Sequence, residues 1–420
     1  MALAAVRRVL PNGLTVIAAR NRLIPAVSVA IGVNAGAAAD PAGATGTAAL
    51  AARVLDKGTA GYSADAIADE LDGRGASLSV GAGRQQIVVS ATCLVDDLAA
   101  VLPVACDVAR RPQFPAAEVA TRRAELLTAI HEAADDPSAV AVDALDAALY
   151  PAGHPLGRPV RGFAADVAGL TRERLQTFHV QAFAPAATTV VIVGDLGADQ
   201  LVEAVAVHMA DWTGESGAGV TPGAPRAITE RTLIVRPMLD KSQADVAYGF
   251  VGLARRDDDY YPALVMNNAL GQYALGGRLG DSIRERQGMA YYVFSSLDAG
   301  LTAGPLTIRA GVSADNVQRT IDSIDTELRA VLAEGFTRAE VDDSKKYLIG
   351  SLPRQLETNG GIAGFLLSAE IFGLGLDHDV RLPERIATVT YDDVARVTAR
   401  LLDPARAVVV VAGPWTGPAA

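Results

Sequence analysis

One helix–strand cassette occurs twice in this chain, and it limits the possible folds more than any other feature. At its first occurrence Thr171 opens a helical run, Pro185 follows, and the apolar stretch 188–193 runs into Gly194. At its second, Thr390 opens the run, Pro404 follows at the same interval, and 407–412 run into Gly413. Thr is a good helix N-cap, Pro ends a helix, and a short apolar run closed by Gly reads as a buried strand. A second pair, Phe114-Pro-Ala-Ala-Glu118-Val119 and Phe336-Thr-Arg-Ala-Glu340-Val341, is displaced by almost the same amount, half the length of the chain. A period this long is not that of a solenoid. It implies two homologous domains.

The stretch 212–227 separates them. It is rich in Gly, Pro, Ser and Thr and offers no apolar face, the composition of a linker. The expected division is therefore a first domain over 1–211, a linker over 212–227, and a second domain over 228–420. Within the first, 14–18 follows a Pro-Asn-Gly turn and 26–33 alternates with period two, so both read as strands. Ser63 is placed to cap a helix that Gly73 closes. Residues 77–80 and 86–93 flank Gly81-Ala82-Gly83-Arg84 as a hairpin. Helices are expected over about 96–110 and from 116 past 130, the latter stopped by Asp135-Asp136-Pro137. The fold class is α+β. Each domain is expected to be an antiparallel-rich mixed sheet with helices packed on one face.

Charge narrows the partners. With 37 Lys and Arg against 48 Asp and Glu, the formal charge is -11, which argues against nucleic acid and anionic membranes. No run approaches the length of a membrane span, and the N-terminal charges follow the apolar residues, the wrong order for a secretory signal. A cytoplasmic protein is expected, or a periplasmic one if a signal has been removed. Cys93 and Cys106 have no metal-ligand spacing and read as buried thiols. The five histidines are far apart, and His154 reads as a local cap in its His-Pro-Leu-Gly turn.

Residues 46–59 read Gly-Thr-Ala-Ala-Leu-Ala-Ala-Arg-Val-Leu-Asp-Lys-Gly-Thr. The Gly-x-Ala opening, apolar body and Lys-Gly-Thr close resemble the active-site helix of the pitrilysin/insulinase family of zinc peptidases. Pro11-Asn12-Gly13-Leu14-Thr15-Val16 is similar to that family's opening strand, and Asp135-Asp136-Pro137 and 153–159 to segments beyond its third zinc ligand. Peptide-cutting members carry His-x-x-Glu-His on the helix, with two imidazoles one turn apart for zinc and Glu as general base. The matching positions here are Ala49, Ala52 and Arg53. The family's third ligand, a Glu, falls on Ala129 when its spacing is counted from Arg53. A catalytic zinc takes about three protein ligands, and these four positions supply none.

The second half carries the complementary resemblance. Ile283-Arg284-Glu285-Arg286-Gln287-Gly288-Met289-Ala290-Tyr291-Tyr292-Val293-Phe294-Ser295 is similar to the family's C-terminal-domain motif, in which an Arg and a Tyr two helical turns further on reach the active site. Arg284 and Tyr291 match them. From spacing alone, Arg284 in the last turn of a helix broken near Gly288 is favoured by the dipole, and Tyr291 entering a strand is ordinary core. The resemblance gives both a second role, as donors to the charge that builds on a peptide carbonyl. Just upstream, Gly276-Gly277 is similar in place to a family glycine loop. It either admits a substrate backbone or joins two helices.

What the resemblance implies is a non-catalytic subunit of a heterodimeric zinc endopeptidase. No metal is expected in this chain. A homologous partner with intact His-x-x-Glu-His would hold zinc, Arg284 and Tyr291 would act in trans, and a peptide or unfolded polypeptide would be the substrate. The alternative is a structural or peptide-binding pseudopeptidase with no hydrolytic role, as a core subunit of a larger complex or as a homodimer.

Overall fold

A computed structural model describes residues 3–214, 222–272 and 276–418. Residues 215–221 of the expected linker and 273–275 beside the glycine pair lie outside the described residues. Among the described residues, eleven strands form two sheets. The first holds β1 (Val6–Val9), β2 (Thr15–Arg20), β3 (Ala26–Val33), β4 (Ser77–Ala82), β5 (Ile87–Leu94) and β6 (Thr188–Gly194). The second holds β7 (Thr232–Pro237), β8 (Ala244–Val251), β9 (Ala290–Leu297), β10 (Pro305–Val312) and β11 (Val408–Gly413).

The sheets are two versions of one design. Their orders are β1-β2-β6-β3-β5-β4 and β7-β11-β8-β10-β9. In each, one pair is parallel (β2 with β6, β7 with β11) and the others are antiparallel. Apart from the additional edge strand β1, the second order repeats the first strand for strand, as the duplicated cassette implies. The caps follow the sequence as well. Thr171 accepts from the Arg174 N–H and Thr390 from the Asp393 N–H, and Ser63 caps from the Ala66 N–H. Pro185 and Pro404 open short 3-10 turns before β6 and β11.

The compact units are not contiguous halves of the chain. One comprises Met1–His131, Pro159–Val220 and Leu352–Val380; the other comprises Glu132–Arg158, Thr221–Ser351 and Arg381–Ala420. Two helices explain the exchange. Asp135-Asp136-Pro137 does end the helix Ala116–Ala134, but Asp136 then caps a new helix, Pro137–Leu149, from the Ser138 N–H with Pro137 in its first turn. That helix packs on the second sheet, against β8 and β11. Its counterpart Asn359–Ile371 packs on the first, against β3 and β6.

Both sheet faces are therefore covered, one by the several helices expected and the other by this single helix. On the several-helix face, Val27, Val29 and Ile31 of β3 join Leu50 and Val54 of the helix Thr47–Val54. On the opposite face, Ala30, Val191 and Val193 meet Ile362, Leu366 and Leu367. In the second unit Ala247, Val408 and Val410 meet Ala141, Leu145 and Leu149. The approach is close enough to need glycine in the strand. A Cβ on Gly32 would lie 2.8 Å from Leu367, and one on Gly249 would lie 2.7 Å from Leu145.

Asp393 closes the second cassette's capping box by accepting from the Thr390 N–H and hydroxyl at 3.0 and 2.6 Å. These bonds, with Arg396, hold its carboxyl down at about 2. A carboxyl whose pKa falls on folding stabilises the fold above its unfolded value and loses that contribution as pH drops through the folded one. Thr390→Ala is expected to cost about 1 kcal/mol at neutral pH. The deficit should shrink as pH approaches 2, read from urea melts at both pH values.

Candidate functional site

The helix Thr47–Val54 is fixed at both ends. Its N-cap Gly46 has φ +85°, and a Cβ there would come 2.7 Å from the Arg161 carbonyl oxygen, so only glycine fits. The Asp40 carboxylate accepts from the Gly46 and Ala48 N–H groups at 2.7 and 2.8 Å, a negative charge on the orphan donors of a helix start. Thr45 adds a bond to Asp166 at 2.6 Å. Beyond the helix, the Thr59 hydroxyl and the Gly61 N–H both donate to buried Asp107, at 2.7 and 3.0 Å. Arg111 pairs with the same carboxylate.

On this held helix Ala49, Ala52 and Arg53 share one face, one turn apart. Ala49 and Ala52 are buried and Arg53 is exposed. Ala129 is half-buried on Ala116–Ala134 in the same unit. Among the described residues no three His, Cys, Asp or Glu side chains come together as a metal would need. The histidines serve structure. His154 Nδ1 accepts from the Leu156 N–H at 3.1 Å while its ring stacks on Tyr150. His179 is buried between Phe114 and Phe183 with Nε2 donating to the Ala109 carbonyl, and burial lowers its pKa. Burial pushes the Cys93 thiol up to about 11 and the Cys106 thiol up to about 12, so both stay protonated and inert.

Arg284 and Tyr291 lie in the other unit. The segment Gly280–Arg286 is wound as a π-helix, a form often found at functional sites. It closes at Gly288, φ +61°, whose N–H donates to the Arg284 carbonyl. The Arg284 guanidinium is exposed and lies 3.8 Å from the Glu285 carboxylate, a loose surface pair of small worth. Tyr291 belongs to the edge strand β9. There Tyr292 pairs with Gly311 and Ala290 with Val312, so Tyr291 is the unpaired residue of a β-bulge. Bulges re-aim a side chain, and this ring is 77% exposed. Nothing in the residues of β9 signals the bulge. Of the glycine pair, Gly276 is exposed and Gly277 is buried at a backbone crossing, where a Cβ would lie 2.8 Å from the Gly271 Cα.

Comparison with known proteins identifies the family. The model of the insulinase family, peptidase family M16, matches residues 15–162, and that of the M16 inactive domain matches 169–348. An uncharacterized zinc protease of Mycobacterium tuberculosis is 31% identical, over 96% of this chain and 91% of its own. The chain belongs to the M16 insulinase family. A probable mitochondrial-processing peptidase subunit beta of Schizosaccharomyces pombe is 27% identical, over 94% of this chain and 88% of that protein. The crystal structure of a peptidase M16 inactive domain from Pseudomonas fluorescens has a TM-score of 0.90 at 27% identity, over the whole of both chains.

The M16 zinc does not fit the residues found here. Three methyl groups and a guanidinium stand at the positions that the sequence resemblance matches to two imidazoles and two carboxylates, and none of the four can ligate a cation. The chain has a firmly fastened helix in one unit and, in the other, an exposed Arg284 and an exposed Tyr291. Sequence reasoning also missed a polar knot nearby. Asn267 and Asn268 are fully buried where the helix Tyr260–Asn267 passes into the π-helical turn Asn268–Gln272. Among the described residues, neither polar atom of the Asn268 side chain has a hydrogen-bond partner. The available signal was two adjacent Asn within an otherwise apolar helical run.

Two substitutions separate these features. Asp40→Ala strands the Gly46 and Ala48 donors and should cost about 2 kcal/mol. Asn268→Leu removes two buried polar atoms that have no partner among the described residues and should leave Tm unchanged or raise it. Calorimetric melts of both variants check this.

Proposed function

We propose that this chain is the non-catalytic subunit of a two-chain zinc metalloendopeptidase, lending Arg284 and Tyr291 to a homologous partner that carries His-x-x-Glu-His. The observation that carries the reading is the bulge. It turns a phenol out to solvent from a strand edge, in the same motif as an exposed guanidinium. A tyrosine ring left in water forgoes burial that would stabilise the fold by about 2 kcal/mol. The name of the yeast relative, one subunit of a processing peptidase, supports an assembly of more than one chain.

The partner's zinc would supply the Lewis acid and the activated water. This chain's residues would act on the carbonyl oxygen of the scissile bond. Arg284 and Tyr291 would donate hydrogen bonds to it as negative charge develops, and a single such donor is typically worth about a hundredfold in rate. The substrate would be a peptide or an unfolded polypeptide, whose carbonyls are free to receive these donors.

The test is to purify the chain with a zinc-motif paralogue and assay peptide cleavage by each chain and by the mixture. Cleavage is expected only in the mixture. Arg284→Ala with Tyr291→Phe should lower kcat about a hundredfold or more with little change in KM. A mixture that cleaves equally well with the double variant would remove the trans role. Stable association without cleavage would identify a structural pseudopeptidase.

A further inference from the structure

The two sheets differ in what stands on the face covered by the single helix. In the second unit, Asp245, Arg309, Tyr292 and Phe294 fill the space beside Pro137–Leu149. Arg309 donates to Asp245 at 3.1 Å and to the Ser138 hydroxyl at 2.6 Å, and its guanidinium lies 5.8 Å from the Phe294 ring. Tyr292 donates to Asp245, and its ring lies 5.9 Å from that of Phe294. Strand registers give each residue its counterpart in the first unit. Asp245 pairs with Ala412 and Gly311, as Ser28 pairs with Val193 and Thr92. Continuing outward, Arg309 corresponds to Ser90, Tyr292 to Ser77 and Phe294 to Ser79. Along the helix, Gly360 takes the place of Ser138.

Every large side chain of that network is thus replaced by serine, and the room it would occupy is open. A trough of about 430 Å³ lies between β5 and the helix Asn359–Ile371. Its floor carries the hydroxyls of Ser28, Ser90 and Thr92, and its wall carries Ala363, Leu367 and Phe372. It follows β5 from Val88 to Thr92, reaches Gly83, Gln85 and Gln86 of the hairpin, and runs along the helix from Gly360 to Ile371 with Phe372 just beyond it, which is a groove the length of a short extended segment and not a cup for one ring. Among the described residues, no charged side chain lines it. The carboxylate that balances Arg309 in the second unit has no equivalent here, so a buried cation would go unpaired. An equivalent of the Phe294 ring faces no such cost, whereas one of Tyr292 would meet Thr92, which stands where the second unit has Gly311 against that ring.

We infer that this trough binds an extended, uncharged peptide segment through an aromatic side chain, Phe or Tyr, seated over Ser90 where the second unit holds the Phe294 ring. The inference does not depend on the partner reading, because it concerns binding to the single chain and involves no cleavage.

The test is fluorescence anisotropy of labelled peptides that differ only in a central Phe, Lys or Ala. The Phe peptide should bind at least tenfold more tightly than the other two. Gly364→Leu should weaken it at least tenfold by filling the trough, since a Cβ at Gly364 meets nothing within 4 Å. Ser79→Phe, on the exposed edge strand, restores the ring that the second unit carries and should do the same. Thermal melts show that both variants fold. Equal affinity for the Phe and Lys peptides, or binding unaffected by both variants, would overturn the proposal. N-acetylphenylalanine amide binding as tightly as the Phe peptide would also overturn it, as would a dimer in sedimentation that Gly364→Leu dissociates, because the occupant would then be another.

Discussion

Each sheet in this protein has two apolar faces, and the second is kept from water by one helix that the other half of the chain contributes. Leu145, Leu149, Leu366 and Leu367 are all nearly or fully buried in that role, each worth about 1.5–3 kcal/mol relative to exposure. Gly32 and Gly249 let the leucines reach the strand backbone. Neither half of the sequence could complete its own sheet. The organisation of the chain into two non-contiguous units follows from that single requirement.

Duplication makes the molecule its own comparison. Where the two units keep the same residue type at matched positions, as at Gly32 and Gly249 or Leu367 and Leu145, the geometry of helix on strand demands it. Where they differ, the fold has left room. One unit holds a Tyr–Asp–Arg network tied to the first turn of its covering helix. Burial raises the Asp245 carboxyl and raises Tyr292 to about 12, which marks the network as enclosed. The other unit holds hydroxyls and glycines over a cavity. The same backbone thus carries a filled face and an open one.

Much of the fold was legible because its signals were local. Thr171, Thr390 and Ser63 cap helices through their own side chains, and β4 and β5 form the expected hairpin, although its turn falls at 83–86 and not at 81–84 because Gly81 and Ala82 still pair with β5. Pro137 misled only in part. It ends one helix because it cannot continue it and begins the next because the first turn needs no N–H. Which sheet the new helix would cover is a tertiary matter, since an apolar helix face does not name its partner. The bulge at Tyr291 was illegible for a related reason. Bulges are set by the register of two strands, and the sequence of β9 alone shows an unbroken run of strand-forming residues. The Asn268 side chain, without a partner among the described residues, was hidden likewise, because satisfaction depends on neighbours and not on the residue.

The residues of the candidate site do not all stand in equal need of explanation. Ala49 and Ala52 suit the place they occupy, since alanine is the best helix former and their methyls are buried. Arg53, in the last turn, gains from the helix dipole whether or not it has any other part. Arg284 has the same ordinary account near the end of its own helical segment. Tyr291 has none. A bulge gives up ladder hydrogen bonds, and an exposed ring gives up burial, so two costs meet at one residue with no compensating contact among the described residues of its unit. The phenol and the guanidinium thus differ in how the fold holds them, one at a strand bulge and one near a helix end, although the sequence motif presents them as equals.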